Sequence, residues 1–429
     1  MKESPFPLET ALGLTYYISD TPGTGGTLKK EPEDFVVEEI PIRTPNQQGS
    51  YMICRVTMKN WEQQHAVKEI ANRLGASHRR IGWAGTKDKR ALTTQYLSLY
   101  KITPEQVANL SIKDITFEPI GFADQQLYLG DLKGNQFRIC IHDILPGTGA
   151  SVPETLEQCR NGLPNYYGIQ RFGVVRPVTH RVGYALLEGN EVEAVNRYIG
   201  APSEGEHEDT QRGRSLWDST HDAKETLTDY PFYLRYERAM LSHLAGSPGD
   251  YAGALQALPP KLLSMFVSAV QSHLFNRALS QRLAGGDTLT DALPGDHLIF
   301  ANGRTDLATA RNAKIASVHV KRGRAQIAIM MPGVKKYPSA GGSRMDDIMA
   351  GLLEKEGITQ ESFVRAEQRT GITYAGALRA ITLQPEIEAS VRSGEDGTEL
   401  IDLSFNLPKG CYATTVCREI MKADPRSMI

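Results

Sequence analysis

Apolar and polar residues alternate along some stretches of this chain and recur at helical spacing along others, and the two rhythms predict its elements. In TLKKEPEDFVVEEI (27–40), Phe35, Val37 and Glu39 fall on one side of a period-two pattern and Val36, Glu38 and Ile40 on the other. That alternation predicts a strand after the PGTGG turn. Asn60, with Gln63 three residues on, reads as an N-cap and its box partner; Ala66, Val67, Ile70, Ala71 and Leu74 then mark one helical face, which Gly75 ends. Strand patterns from Ile81 to Ala84 and from Gln95 to Tyr100 bracket the polar segment GTKDKRALTT, so Asp88 is expected on a loop held between two strands. Phe137 to Ile141 predicts another strand, Val152 to Asn161 a helix, and Lys261 to Leu283 a long helix closed by Gly285 and Gly286. Short strands follow near 297–300 and 325–331, and the chain ends on a strand, LIDLSFNLP, and a helix, TTVCREIMKA.

Strands and helices mix here without regular βαβ alternation. The fold expected is therefore α+β, with a mixed, largely antiparallel sheet and flanking helices. The texture changes after about residue 175, which predicts one portion of residues 1–175 plus 388–429, interrupted by a large α/β insert at 176–387. The last forty or so residues are too few to bury a core alone, so they must return to the first portion.

Composition leaves this picture standing. The chain has 429 residues, 40% hydrophobic and 23% charged, ordinary for a globular protein and long enough for two domains. No run approaches the roughly 18 apolar residues of a membrane span, and MKESPFPLET lacks a basic then apolar leader, so a cytoplasmic protein with no membrane partner is expected. Cys54, Cys140, Cys159, Cys411 and Cys417 are too scattered for a disulfide framework or a zinc ribbon. The histidines show neither H-x-x-x-H nor H-E-x-x-H spacing, so neither a metal nor an organic cofactor is expected.

Charge changes the picture more. The net charge is only −2, yet between His78 and Lys101 stand Arg79, Arg80, Lys87, Lys89, Arg90 and Lys101 against the single acid Asp88, whereas Glu204, Glu206, Glu208 and Asp209 form an acidic stretch. Such segregation suits a phosphate-binding face. A lone loop aspartate is ordinarily a turn or cap residue. Asp88, between Lys87 and Lys89, has neighbours that favour the ionised carboxylate, which suits a nucleophile better than a proton donor.

AGTKDKRALTTQ (84–95) resembles the motif of the TruD family of tRNA pseudouridine synthases, in its archaeal type, where a G-x-K-D core bears the catalytic aspartate. LKKEPEDFVVEE (28–39), LKGNQF (132–137), PNYYGIQRFG (164–173), AVQSHLFN (269–276) and FNLPKGCYATTVCRE (405–419) resemble further signatures of that family in the same order, so the likeness spans nearly the whole chain. It implies a pseudouridine synthase-type catalytic domain in the first portion, with Asp88 as nucleophile. It also implies an active-site lysine at Lys29, or at Lys30 one residue on, a pocket lined by Phe35, Asn135, Phe137 and Phe405, and a target uridine at position thirteen in the D arm of tRNA. No obligatory protein partner is implied.

The chemistry asks for the same residue types. Pseudouridine formation breaks an N-glycosidic bond, turns the freed base and re-forms a C-glycosidic bond, so a detached base must be held by stacking and by hydrogen bonds to its edge. Core packing is the plainer reading of each phenylalanine, and a turn beside Gly134 that of Asn135. Arg79, Arg80, Lys89, Arg90, Lys321, Arg322 and Arg324, with Lys335 and Lys336, are candidate phosphate contacts of a cleft between the two portions; Arg171 and Arg418 fall within motifs and could anchor a phosphate or pair with Asp88. Two other classes compete. A GTPase-like protein is suggested by DTPG (20–23) and TKDK (86–89), but no G-x-x-x-x-G-K-[ST] loop occurs. A silent RNA-binding module would have little reason to place Asp88 in its basic loop, where it repels phosphate.

Overall fold

The computed structural model describes residues 1–338, 341–394 and 397–428. Two compact units result: Met1–Ile18 with Asn161–Thr382, and Ser19–Arg160 with Leu383–Ile429.

The second unit is built on a nine-stranded sheet. Its strands are β1 (Phe35–Pro41), β2 (Tyr51–Lys59), β3 (Ile81–Trp83), β4 (Leu92–Tyr100), β5 (Ile115–Ala123), β6 (Leu132–Ile144), β7 (Ile387–Ser393) and β8 (Glu399–Pro408), with the short strand Gly25–Thr27 paired to β6. The main path runs β7-β8-β6-β1-β4-β2-β5, and β3 pairs with β4. Neighbours on this path are antiparallel except β1 and β4. The largely antiparallel α+β architecture is thus as expected. On the β2–β4 side, Val56, Met58, Leu97 and Leu99 form a core with Val67 and Ile70 of helix α1 (Gln63–Arg73). Helices α2 (Val152–Gln158) and α3 (Ala413–Met421) belong to the same unit, and α3 is anchored where Ser19 donates from its amide and hydroxyl to Glu419 Oε1 at 2.7 and 2.6 Å.

Local chemistry explains where sequence and structure part. Glu62, not Asn60, caps α1, accepting from the amides of Gln64 and His65 at 3.0 and 2.8 Å. Asn60 takes a left-handed φ of 59° in the turn out of β2, a conformation asparagine tolerates better than most residues. The strand expected at Phe137–Ile141 extends to Leu132–Ile144. Gly134 allows that extension, because a Cβ there would stand 2.2 Å from the Leu407 carbonyl oxygen of β8.

In the first unit, the helix Pro260–Ala284 lies within one residue of its expected bounds and is buried on nearly every side. A four-stranded antiparallel sheet, ordered Thr305–Leu307, His297–Phe300, Ala325–Met331 and Ala377–Ala380, accompanies it. Residues 1–18 and 161–175, grouped by the sequence with the first portion, are held in this unit by the long helix. Asn276 Nδ2 donates to Leu12 O and Tyr167 O at 3.1 and 3.0 Å, and Ser280 Oγ donates to Gly13 O at 2.7 Å. The motifs AVQSHLFN and PNYYGIQRFG therefore serve one another: they are structural signatures of this unit.

Candidate active site

The segment from Ala84 to Ala91 leaves β3 and enters β4 without forming helix or strand. Its side chains face different ways. Lys87 turns inward, its Nζ 2.7 Å from Glu39 Oε2, with side chains 5% and 1% exposed. Asp88 turns outward and is half exposed. Burial raises the Glu39 carboxyl above its ordinary range, while Lys87 and the Tyr96 amide partly offset that shift. The pair ties the Asp88 segment to β1.

Lys29 reaches the same place from the turn before β1. Its buried Nζ lies 3.7 Å from Asp88 Oδ2 and 4.4 Å from the centre of the Phe35 ring. Its φ of 58° is left-handed, a conformation that costs a non-glycine residue about 1–3 kcal/mol and is found where the surroundings enforce it. Lys30 points elsewhere: its Nζ is 2.6 Å from Asp143, and its carbonyl accepts from Arg90 at 2.8 Å. Of the two lysines the sequence left open, Lys29 is the one beside Asp88.

Phe35, Phe137 and Phe405 come together because β1, β6 and β8 are neighbours. Phe405 stands opposite Phe137 in register, with rings stacked at 5.5 Å, and Phe35 meets Phe137 edge-on at 6.2 Å. All three are at most 6% exposed, so they make a packed wall rather than free stacking platforms. Asn135, two residues before Phe137 on β6, pairs in register with Glu39 and Leu407. Its Oδ1 is buried without a hydrogen-bond partner among the described residues. Such an acceptor costs roughly 1–3 kcal/mol unless something donates to it.

The basic candidates divide. Arg79, Lys89 and Arg90 are exposed near Asp88 in sequence. Arg80 instead donates to the carbonyl oxygens of Tyr100 and Lys101, fastening the end of β4. In the other unit, Arg171 Nε donates to Ser272 Oγ at 3.1 Å, Lys321 pairs with Asp291 at 2.6 Å, and Arg322 and Arg324 are exposed. Arg418 is buried on α3. Asp34, Cys140 and His142 also gather within 4.8 Å of one another, a grouping no local spacing announced. There His142 Nε2 lies 2.8 Å from Asp34 Oδ1, and burial pushes the Cys140 thiol up to about 12, so it stays protonated at neutral pH.

Residues 11–420 match the family model for tRNA pseudouridine synthase D (TruD). The chain belongs to the TruD family. Among its relatives is a Methanosarcina barkeri protein named "Probable tRNA pseudouridine synthase D", 38% identical, with 98% of this chain and 99% of that one covered. A Pyrococcus abyssi protein of the same name is 37% identical over 95% and 98% of the two chains. The crystal structure of the Methanosarcina mazei TruD protein is 37% identical, covers 99% of this chain and 100% of its own, and superposes with a TM-score of 0.83. The TruD likeness read from the six motifs is thus established for the whole chain. Glu39 was missed as a site residue, although the alternation placed it on the Phe35 and Val37 side of β1. An acid on the buried face of a strand calls for a partner, and Lys87 is that partner.

Proposed function

We propose that this enzyme isomerises a uridine of tRNA to pseudouridine, with Asp88 as nucleophile and the target base drawn out of its stack into the second unit. The observation that carries the reading is the Asp88 carboxylate, half exposed beside the buried Lys29 ammonium at 3.7 Å. Asp88 acts on the sugar carbon of the glycosidic bond or on the ring. The reaction breaks N1–C1′ and forms C5–C1′, and the hydrogen lost from C5 is balanced by one gained at N1. Lys29 holds Asp88 in place, its ammonium set over the Phe35 ring. The wall of Phe35, Phe137 and Phe405 excludes water from one side of the base. The unpartnered Asn135 carbonyl is suited to the N3–H of uracil. Ser19–Arg160 with Leu383–Ile429 is then the catalytic unit, and the target is uridine thirteen of the D arm. Pure protein incubated with tRNA transcripts, followed by pseudouridine mapping, tests this. One modified position in the D arm is expected; a different position would overturn the target, and none at all the activity.

RNA binding is expected to weaken steeply with salt. Each phosphate contact removed should lower the magnitude of the log K against log salt slope by about 0.7–0.9. Lys89→Ala and Arg79→Ala, which alter exposed side chains, should each do so. Arg80→Ala should instead lower the melting temperature, since its guanidinium serves the backbone of β4. Titrating labelled tRNA at several salt concentrations checks the first, and thermal unfolding the second.

A further inference from the structure

The loop between β5 and β6 carries two apolar side chains that the packing does not use. Tyr128 and Leu129 are 64% and 61% exposed, adjacent and at the tip. A flexible tip would need no explanation, but this one is fastened on every side. The Leu127 amide donates to Ser98 Oγ of β4 at 2.9 Å, and the Tyr128 amide donates to Asp131 Oδ2 at 2.9 Å. The Gly130 amide donates to Ala84 O at 2.8 Å, and Lys409 Nζ donates to Gly130 O at 2.7 Å. Gly82 of β3 packs so close to the loop that a Cβ there would stand 2.4 Å from Leu127 O. The tip is thus a rigid apolar projection bolted to Ala84, where the segment bearing Asp88 begins, and Lys409 and the exposed Lys133 supply positive charge nearby.

Resting on the proposed reaction at Asp88, we propose that Tyr128 and Leu129 receive the nucleobase adjacent to the target uridine, with the Tyr128 ring as a stacking surface. Extracting one base from an RNA stack strands its neighbour, and an exposed ring offers the stranded base a new face. Fixing the ring in advance lowers the ordering cost on binding. Phe35, Phe137 and Phe405 cannot serve this purpose, because they are buried against one another. Stacking tolerates any base, so the contact adds affinity and grip rather than sequence choice.

The test uses the full-length enzyme and a tRNA transcript that the wild type is first seen to modify; if it modifies none, the reaction at Asp88 fails and not this contact. Tyr128→Ala should raise both Kd and KM for that tRNA roughly 5- to 100-fold, as loss of one base–aromatic stack does, with kcat at saturating RNA little changed. Tyr128→Phe and Tyr128→Trp should bind as the wild type does. The salt slope of Tyr128→Ala should match that of the wild type, because stacking releases no counterions. Unchanged affinity in Tyr128→Ala, a reduced salt slope, or failure of Tyr128→Phe to restore binding would each overturn the contact. Thermal unfolding of Tyr128→Ala should be unaltered, and a lowered melting temperature would mean that the ring serves the fold.

Discussion

Asp88→Asn is expected to abolish pseudouridine formation while tRNA still binds. The amide keeps the size of the carboxylate and most of its hydrogen bonding, but it lacks the negative oxygen that would attack, so the loss falls on kcat. A fall of at least about 10³-fold is expected, the order found when a nucleophile is removed from a site that otherwise still binds and orients its substrate. Binding should hold or tighten slightly, since one negative charge leaves a segment that also carries Lys87, Lys89 and Arg90. Lys29 sets the control. Asp88→Asn leaves its buried ammonium beside a neutral amide, so some loss of stability is expected, and kcat must be measured well below the melting temperature. Retention of near-normal turnover by folded Asp88→Asn would sink the assignment. A loss of RNA binding equal to the loss of turnover would recast Asp88 as a folding or binding residue.

How far the sequence reached follows from the range of each signal. Strand alternation at Phe35–Ile40, the helical face Ala66–Leu74 and the long helix near Lys261–Leu283 are local patterns, and each forms close to where it was read. Asp88 on a loop between strands was legible for the same reason, from the polar segment between two apolar runs. The meeting of Phe35, Phe137 and Phe405 was not: it follows from the order of β1, β6 and β8 in the sheet, which no local period encodes. Only the family likeness put those rings in one pocket, and it could not foretell that they would be buried against one another. The unit boundary slipped at PNYYGIQRFG because its partners, Asn276 and Ser280, lie on the long helix about a hundred residues downstream. The cap at Asn60 was misread because Asn serves equally at a cap and in a left-handed turn, and tertiary context chose the turn. Arg80, Lys89 and Arg90 looked alike as charges, but backbone carbonyl oxygens claim Arg80, at Tyr100 and Lys101, and Arg90, at Lys30.

Breaking the buried Lys87–Glu39 pair is expected to cost both stability and turnover, and the two losses can be separated. Either Lys87→Met or Glu39→Leu alone leaves a charge with 5% or 1% of its side chain exposed and its partner gone, which typically costs about 3–5 kcal/mol. Combining Glu39→Leu with Lys87→Met removes both charges and should recover most of the lost stability, as replacing a buried ion pair by apolar residues often does. Turnover should not recover with it. The pair fastens the residue next to Asp88 to β1, and an apolar contact fixes position less tightly than a 2.7 Å ion pair, so the carboxylate loses its alignment on the sugar or ring. The double variant should therefore melt near the wild-type temperature and bind tRNA with similar affinity, yet show a kcat lowered by about 10-fold or more. Melting curves, tRNA titrations and single-turnover rates on the four proteins check this. If kcat returns along with stability in the double variant, the pair only holds up the fold; if kcat stays low while tRNA affinity is normal, Lys87 and Glu39 are positioning residues for Asp88.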